Sequence, residues 1–248
     1  MNILAIGNSF SEDATRYLHG IARADGERLS VVNLYIGGCS LERHYRNMLS
    51  DERAYELQYN GNKTGFYVSL SEALLNRKWD VITLQQASHQ SFDTKSYEPY
   101  LGELAAYVRK CSPKARIYIH QTWAYEADSN RLVNVARYET PESMLADVVK
   151  AYDSAARSIN ADGIIRSGEL FARLLASGVE SVHRDTFHAS LGLGRYALGA
   201  LWYGTLCKRT VADNSFCDFD VDIPSEKISI VKECVDLLLN EVTMNEDH

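Results

Sequence analysis

The sequence predicts an α/β protein built on a doubly wound, mostly parallel sheet, and three observations carry that expectation. Five short apolar or β-branched runs, at residues 3–6, 29–36, 81–84, 115–120 and 163–165, alternate with amphipathic helical stretches. The runs stop at glycine or at polar residues where the chain must turn, as at Gly7, Gly37-Gly38 and Gln85. No linker composition, composition break or internal repeat divides the 248 residues, so one domain spanning 1–248 is expected.

The first run reads as a buried strand that stops at Gly7, with Ser9 where the backbone turns. Ser11, Glu12 and Asp13 read as the cap and acidic first turn of a helix over 13–24, with Ala14, Tyr17, Leu18 and Ile21 on one stripe and Gly26 closing it. The strand at 29–36 ends in Gly37-Gly38, and Ser40 opens a helix through His44 and Met48. Residues 50–68 break the alternation. Runs at 55–59 and 65–68 flank the turn signal Asn60-Gly61-Asn62, which predicts a hairpin or irregular excursion. A short helix over 69–77 turns Leu70, Ala73 and Leu74 inward, and the strand at 81–84 leads into Gln85-Gln86-Ala87-Ser88-His89-Gln90.

A helix over 97–110 carries Leu101, Leu104, Ala105 and Val108 on its stripe and precedes the fourth strand. Residues 121–140 form a long aromatic and polar connection, a candidate binding loop or lid. Pro141 suits the first position of a helix reaching about 158. The fifth strand follows, then helices over 168–176, 191–206 and 225–242, with residues 182–190 dense in polar chemistry. In such a sheet ligands bind beyond the carboxyl ends of the strands. Ser9, Gly37-Gly38, Gln85 and His120-Gln121 all fall there.

Composition narrows the partners. Apolar residues make up 46% and charged residues 24%, ordinary for a globular chain. A net charge of −7 opposes general affinity for nucleic acid or anionic membrane, so neither is expected as a partner. No apolar run approaches the roughly 20 residues of a membrane span. Met1 leads straight into the first strand without a basic and then apolar leader. The chain as given therefore reads as cytoplasmic, or as periplasmic or secreted where a signal peptide has been removed. The oligomeric state is not legible. Five widely spread cysteines without a CxxC pair suggest reduced packing residues, not a disulfide framework or structural zinc.

Acyl transfer needs a nucleophile, a base, a group that orients the base, and oxyanion donors. Ser9, at a strand-to-helix turn, offers the first, although taken alone it serves equally as a helix cap. Asp185-Thr186-Phe187-His188 offers the next two: a tight loop or helical turn puts both side chains on one side, and the expected structure brings the Ser9 hydroxyl within hydrogen-bond reach of His188.

These blocks resemble the SGNH, or GDSL-like, hydrolases, in a branch described as a domain of unknown function. The resemblance lies in Ile6-Gly7-Asn8-Ser9-Phe10-Ser11, in Gly37-Gly38-Cys39-Ser40 and in Asp185-Thr186-Phe187-His188, in that order along nearly the whole chain. It implies a three-layer α/β/α sandwich, the five strands in the flavodoxin-like order 2-1-3-4-5, and ester hydrolysis, often deacetylation of carbohydrates. It implies Ser9 as nucleophile, His188 as base, Asp185 as its orienter, the N–H groups of Ser9 and Gly38 as oxyanion donors, and no cofactor. The substrate would be a small-molecule or carbohydrate ester. The third block departs from the family pattern: the asparagine that usually completes the oxyanion hole is absent, and Gln85 is the first choice in its place, with Gln86 and His89 as alternatives. His120, Gln121, Trp123 and Tyr125 suit a sugar-binding wall, and Arg184 stands to bind a substrate carboxylate or a neighbouring acid.

Two rival readings remain at this level. His183, Asp185 and His188, with His89 or His120, are candidate metal ligands, but no HxH or HExxH accompanies them and a metal leaves Ser9 and Gly38 unused. A non-catalytic carbohydrate- or phosphate-binding protein on a degenerate hydrolase scaffold would use the same glycine turns, though no GxGxxG or P-loop lysine is present.

Overall fold

A computed structural model of the chain describes residues 1–246. Five parallel strands form the centre: β1 (Asn2–Gly7), β2 (Ser30–Tyr35), β5 (Val81–Leu84), β6 (Arg116–His120) and β7 (Gly163–Ile165). Between β2 and β5 the chain makes an antiparallel hairpin, β3 (Tyr55–Tyr59) and β4 (Asn62–Val68), which pairs onto β2. The sheet runs β4-β3-β2-β1-β5-β6-β7. The parallel strands keep the expected 2-1-3-4-5 order among themselves, but the sheet has seven strands where five were expected, because the excursion at 50–68 pairs into it. Asn60 and Gly61 take φ of +49° and +78°, the left-handed pair that a tight two-residue hairpin turn requires.

The central strands are short continuous apolar runs because both their faces are covered: all four residues of β5 and residues 3–7 of β1 are buried. The edge strand β4 is largely exposed, as an antiparallel edge can be. Helices α3 (Leu41–Ser50), α4 (Leu70–Leu75), α5 (Tyr100–Cys111) and α6 (Pro141–Ser158) pack on one face of the sheet. Helices α1 (Ser9–Thr15), α2 (Leu18–Ala24), α8 (Leu193–Cys207) and α9 (Ser225–Glu246) pack on the other, while α7 (Ser167–Ala176) contacts α6, α8 and α9 beside β7. Helix α8 is apolar nearly all round because α1, α2 and α9 enclose it.

Two expectations about the first helix need correction. The stretch 13–24 is not one helix: α1 and α2 are separate. The cap is Asn8, not Ser11. Asn8 accepts the Phe10 N–H, and Ser11 reaches back to the Asn8 N–H as the other half of a capping box. Ser9 is therefore the first residue inside the helix. Among the described residues, no helix is long and apolar enough to cross a membrane. All five cysteines are free thiols.

Candidate active site

The carboxyl ends of β1, β2 and β5 lie side by side, and the loops leaving them carry Ser9, Gly38 and His89. With Arg184, Phe187 and His188 they line a cavity of about 310 Å³. That is the lower end of the range for small-molecule sites.

The serine side is held by a buried polar chain beneath it. Gln85 Nε2 donates to Asn8 Oδ1 (2.8 Å), and Asn8 Nδ2 donates to the Cys39 carbonyl (3.0 Å), tying the loop after β1 to the loop after β2. His120 Nδ1 lies 3.0 Å from Gln85 Oε1, and its Nε2 lies 3.1 Å from Ser167 Oγ. Since Gln85 Oε1 only accepts, Nδ1 carries the proton and Nε2 accepts from the serine hydroxyl. Burial pushes the His120 imidazole down to about 3, so it stays neutral. A Cβ at Gly7 would lie 2.4 Å from Ser11 Oγ and 2.8 Å from Gln85 Oε1, so only glycine fits above this chain. Gly38 takes φ +61°, a conformation that also favours glycine.

The histidine side is a loop. A bridge between His183 and Ala189 closes it, with Arg184 N–H donating to the His188 carbonyl (3.0 Å). Asp185 Oδ1 accepts the His188 N–H (2.8 Å), and Oδ2 lies 2.8 Å from His188 Nδ1. Partial burial acts to raise the Asp185 carboxyl, but the hydrogen bonds from the His188 ring and the His188 and Phe187 N–H groups outweigh it and hold it below the usual carboxylate range. A carboxylate has no proton to give, so Nδ1–H donates to it, and the tautomer that this contact favours turns the Nε2 lone pair outward. Ser9 Oγ stands 2.9 Å from that nitrogen. The structure thus brings Ser9, His188 and Asp185 into one hydrogen-bonded line.

The other expected site residues divide. His89 lines the cavity, and partial burial, with Arg131 nearby, holds its imidazole below the usual value. Gln85 and Gln86 do not line it. Gln85 is engaged with Asn8 and His120, while Gln86 accepts the Leu41 N–H (2.9 Å) and donates to the Ser96 carbonyl (3.0 Å), which anchors α3. The sugar wall also needs correction, for His120, Gln121, Trp123 and Tyr125 are all fully buried. Gln121 accepts the Gly168 N–H at the start of α7 (3.0 Å). Trp123 stacks on Phe10 (4.1 Å between centroids) and donates to the Phe187 carbonyl (2.8 Å); Tyr125 donates to Ser88 Oγ (2.9 Å). The residues after β6 are therefore core, facing the underside of the histidine loop.

Arg184 does line the cavity, but of its two expected partners the neighbouring acid holds it: its Nη1 is 3.0 Å from both oxygens of the buried Asp13, which Arg195 Nε also contacts (2.8 Å). The metal alternative lacks its ligand set. The His183 ring is buried 3.1 Å from Glu126 and edge-on to Phe171, and no group of three or more His, Cys, Asp and Glu among the described residues is arranged to hold an ion.

Sequence reasoning missed four residues: Asn8, Asp13, Thr186 and Arg131. Asn8 had a signal, since asparagine with serine three residues on is an N-cap pattern. Thr186 had none. It takes φ +69°, rare for a β-branched residue. It is held there from the 121–140 stretch: the Glu126 N–H donates to its carbonyl (2.9 Å), and its hydroxyl donates to Ser129 Oγ (2.8 Å). A larger cavity, about 460 Å³, lies beside β7, α8 and α9; its lining includes Thr205 and Thr210 but no histidine to serve as a base.

Comparison with known proteins places these features in a wider group. The sequence profile described as "Domain of unknown function (DUF4886)" matches residues 2–233. A DUF4886 family protein from Bacteroides uniformis is 32% identical, with a TM-score of 0.89, over 96% of this chain and 94% of that one. A protein from Slackia heliotrinireducens, provisionally described as an SGNH hydrolase, is 21% identical with a TM-score of 0.60, over 83% of this chain and 98% of that one. Axe2, an acetylxylan esterase from Geobacillus stearothermophilus, is 13% identical with a TM-score of 0.51, over 84% of this chain and 92% of that one. The last two likenesses are of fold. Comparison with curated proteins found no match.

Proposed function

The chain belongs to the DUF4886 family and has the SGNH hydrolase-like fold, and from that premise we propose that it is a serine esterase that removes small acyl groups, acetyl foremost, from a hydroxyl-rich alcohol such as a carbohydrate or related metabolite. The observation that carries this reading is the line from Ser9 Oγ through His188 to Asp185, with contacts of 2.9 and 2.8 Å.

Ser9 Oγ attacks the ester carbonyl as His188 Nε2 takes its proton. The carbonyl oxygen becomes an oxyanion in reach of the Ser9 and Gly38 N–H groups, which have no hydrogen-bond acceptor among the described residues. His89 replaces Gln85 as the choice for a third donor, because it lines the cavity and its neutral ring has an N–H to give. The tetrahedral adduct collapses, the C–O bond to the alcohol breaks, and His188 returns its proton to the departing oxygen. Water, deprotonated by the same nitrogen, then attacks the acyl-serine; the bond to Ser9 Oγ breaks, His188 returns the proton to that oxygen, and the acid is released. Asp185 keeps the ring in the tautomer that both half-reactions use. The size of the cavity supports a small acyl group, and Glu12, Tyr35, Ser88 and His89 on its wall suit an alcohol rich in hydroxyls. The acetylxylan esterase among proteins of this fold is in keeping with such a substrate.

The test is hydrolysis of 4-nitrophenyl acetate by the wild type and by Ser9→Ala. The variant is expected to lose at least about 10³-fold in kcat while its thermal unfolding is unchanged. Equal activity in the variant, or activity abolished by chelator and restored by zinc, would overturn the serine mechanism. Sugar binding without turnover of any acyl ester would favour a binding protein.

A further inference from the structure

Three charged side chains other than the base stand on the wall of the Ser9–His188 cavity: Glu12, Arg184 and Arg131. Two of them are already engaged. Glu12 Oε1 accepts from Gln58 Nε2 (2.7 Å) with Lys63 3.7 Å away. Arg184 is held by Asp13 and by the Ala189 carbonyl.

Arg131 differs. It is exposed, and among the described residues its guanidinium has no carboxylate within ion-pair distance and no hydrogen-bond acceptor. It is nevertheless not loose, because its central carbon lies over the Phe187 ring, 4.0 Å from the centroid. Phe187 in turn sits 3.9 Å, centroid to centroid, from the His188 ring. Two ring contacts thus separate a free planar cation from the base. A cation–π contact holds the guanidinium in place without satisfying any of its five N–H donors. Such a fork matches a carboxylate in a bidentate pair.

We propose that Arg131 binds a carboxylate carried by the substrate itself, so that the ester this site prefers is anionic. The inference rests on the esterase reading for its chemistry, but not for the binding it asserts. The substrate's carboxylate would sit beside Phe187 while its acyl carbon lies at Ser9. In a chain with a net charge of −7, a single unpaired cation at the cavity mouth sorts esters by charge.

The test compares 4-acetoxybenzoate with its methyl ester, which have the same acyl group and differ by one negative charge. For the wild type, kcat/KM is expected to favour the anion. In Arg131→Gln the anionic-to-neutral ratio is expected to fall on the order of tenfold, as for a lost hydrogen bond to a charged group. Arg131→Lys should retain part of the preference through its charge. The ratio cancels any general effect of disturbing Phe187. A ratio unchanged in Arg131→Gln would overturn the proposal and leave the esterase reading standing.

Binding of 4-acetoxybenzoate to Ser9→Ala, measured by calorimetry against Ser9→Ala/Arg131→Gln, decides the matter without turnover. A Kd raised about tenfold in the double variant supports the proposal even if the wild type hydrolyses neither ester. Equal Kd values overturn it.

Discussion

The two halves of the candidate site are built in opposite ways. Ser9 stands at the end of the central strand β1, and beneath it Asn8, Gln85 and His120 are buried and bonded to one another. His188 stands on a surface loop where Asp185 is 44% exposed on its side chain and Thr186 is left-handed. The sheet places the first half, and buried hydrogen bonds fix its last ångström. The second half is placed by contacts from elsewhere in the chain: Trp123, Glu126 and Ser129 bond to residues 186 and 187, and Arg184 ties the loop to Asp13 on α1. The difference teaches that Ser9 is positioned by topology and His188 by a few long-range hydrogen bonds. Changes near His188 should therefore act on turnover, and changes near His120 on stability.

The largest effect that this division predicts is at Asp185. Asp185→Asn keeps the shape of the loop but no longer stabilises Nδ1–H, and kcat is expected to drop about 10³- to 10⁴-fold with thermal unfolding nearly unchanged. Comparable losses of activity and of Tm would mean that the loop, too, is part of the structural core.

The buried half should instead reveal itself through pH. Burial holds both His120, beneath Ser9, and His44, which lies on α3 against Tyr55, at about 3 in the folded chain, against about 6.5 when unfolded. The unfolded state then binds more protons between those values, so stability rises with pH across that window and is lost as pH falls below about 6.5. Each histidine contributes a slope of about 1.4 kcal/mol per pH unit. Urea unfolding at pH 7 and pH 5 measures it, and a free energy of unfolding that does not change between them would contradict the buried, neutral assignment.

The smallest effect sharpens the boundary between the halves. Trp123→Phe removes one hydrogen bond to the Phe187 carbonyl, and the expected cost is about 1 kcal/mol of stability with up to about tenfold in kcat and little change in KM. A rise in KM with kcat unchanged would return Trp123 to the substrate-binding wall that its sequence context suggests.

The contrast also explains what could be read from residues alone. Strands 81–84 and 163–165 were legible to the residue, since a run apolar on both faces has few alternatives in a parallel sheet. Ser9 and His188 were legible as partners because their motifs sit at strand ends or in a polar loop. The hairpin was legible as a turn but not as part of the sheet, because β4 is mostly exposed and carries little apolar signal. The wall failed for a physical reason. His120, Gln121, Trp123 and Tyr125 have polar tips, which suggest a surface, yet each finds a buried partner: Ser167, the Gly168 N–H, the Phe187 carbonyl and Ser88. Sequence does not show where an indole N–H will find its acceptor. For the same reason Arg131 was invisible: what distinguishes it is that its guanidinium meets a ring and, among the described residues, no acceptor.

The bond between Ser9 and His188 joins residues 179 apart. During synthesis at about 5–20 residues per second, Ser9 is made roughly 10–40 seconds before His188. Through that interval the serine is chemically idle, with no acceptor for its proton. Under the proposed mechanism, hydrolytic activity would report completed assembly, and a nascent chain would carry none.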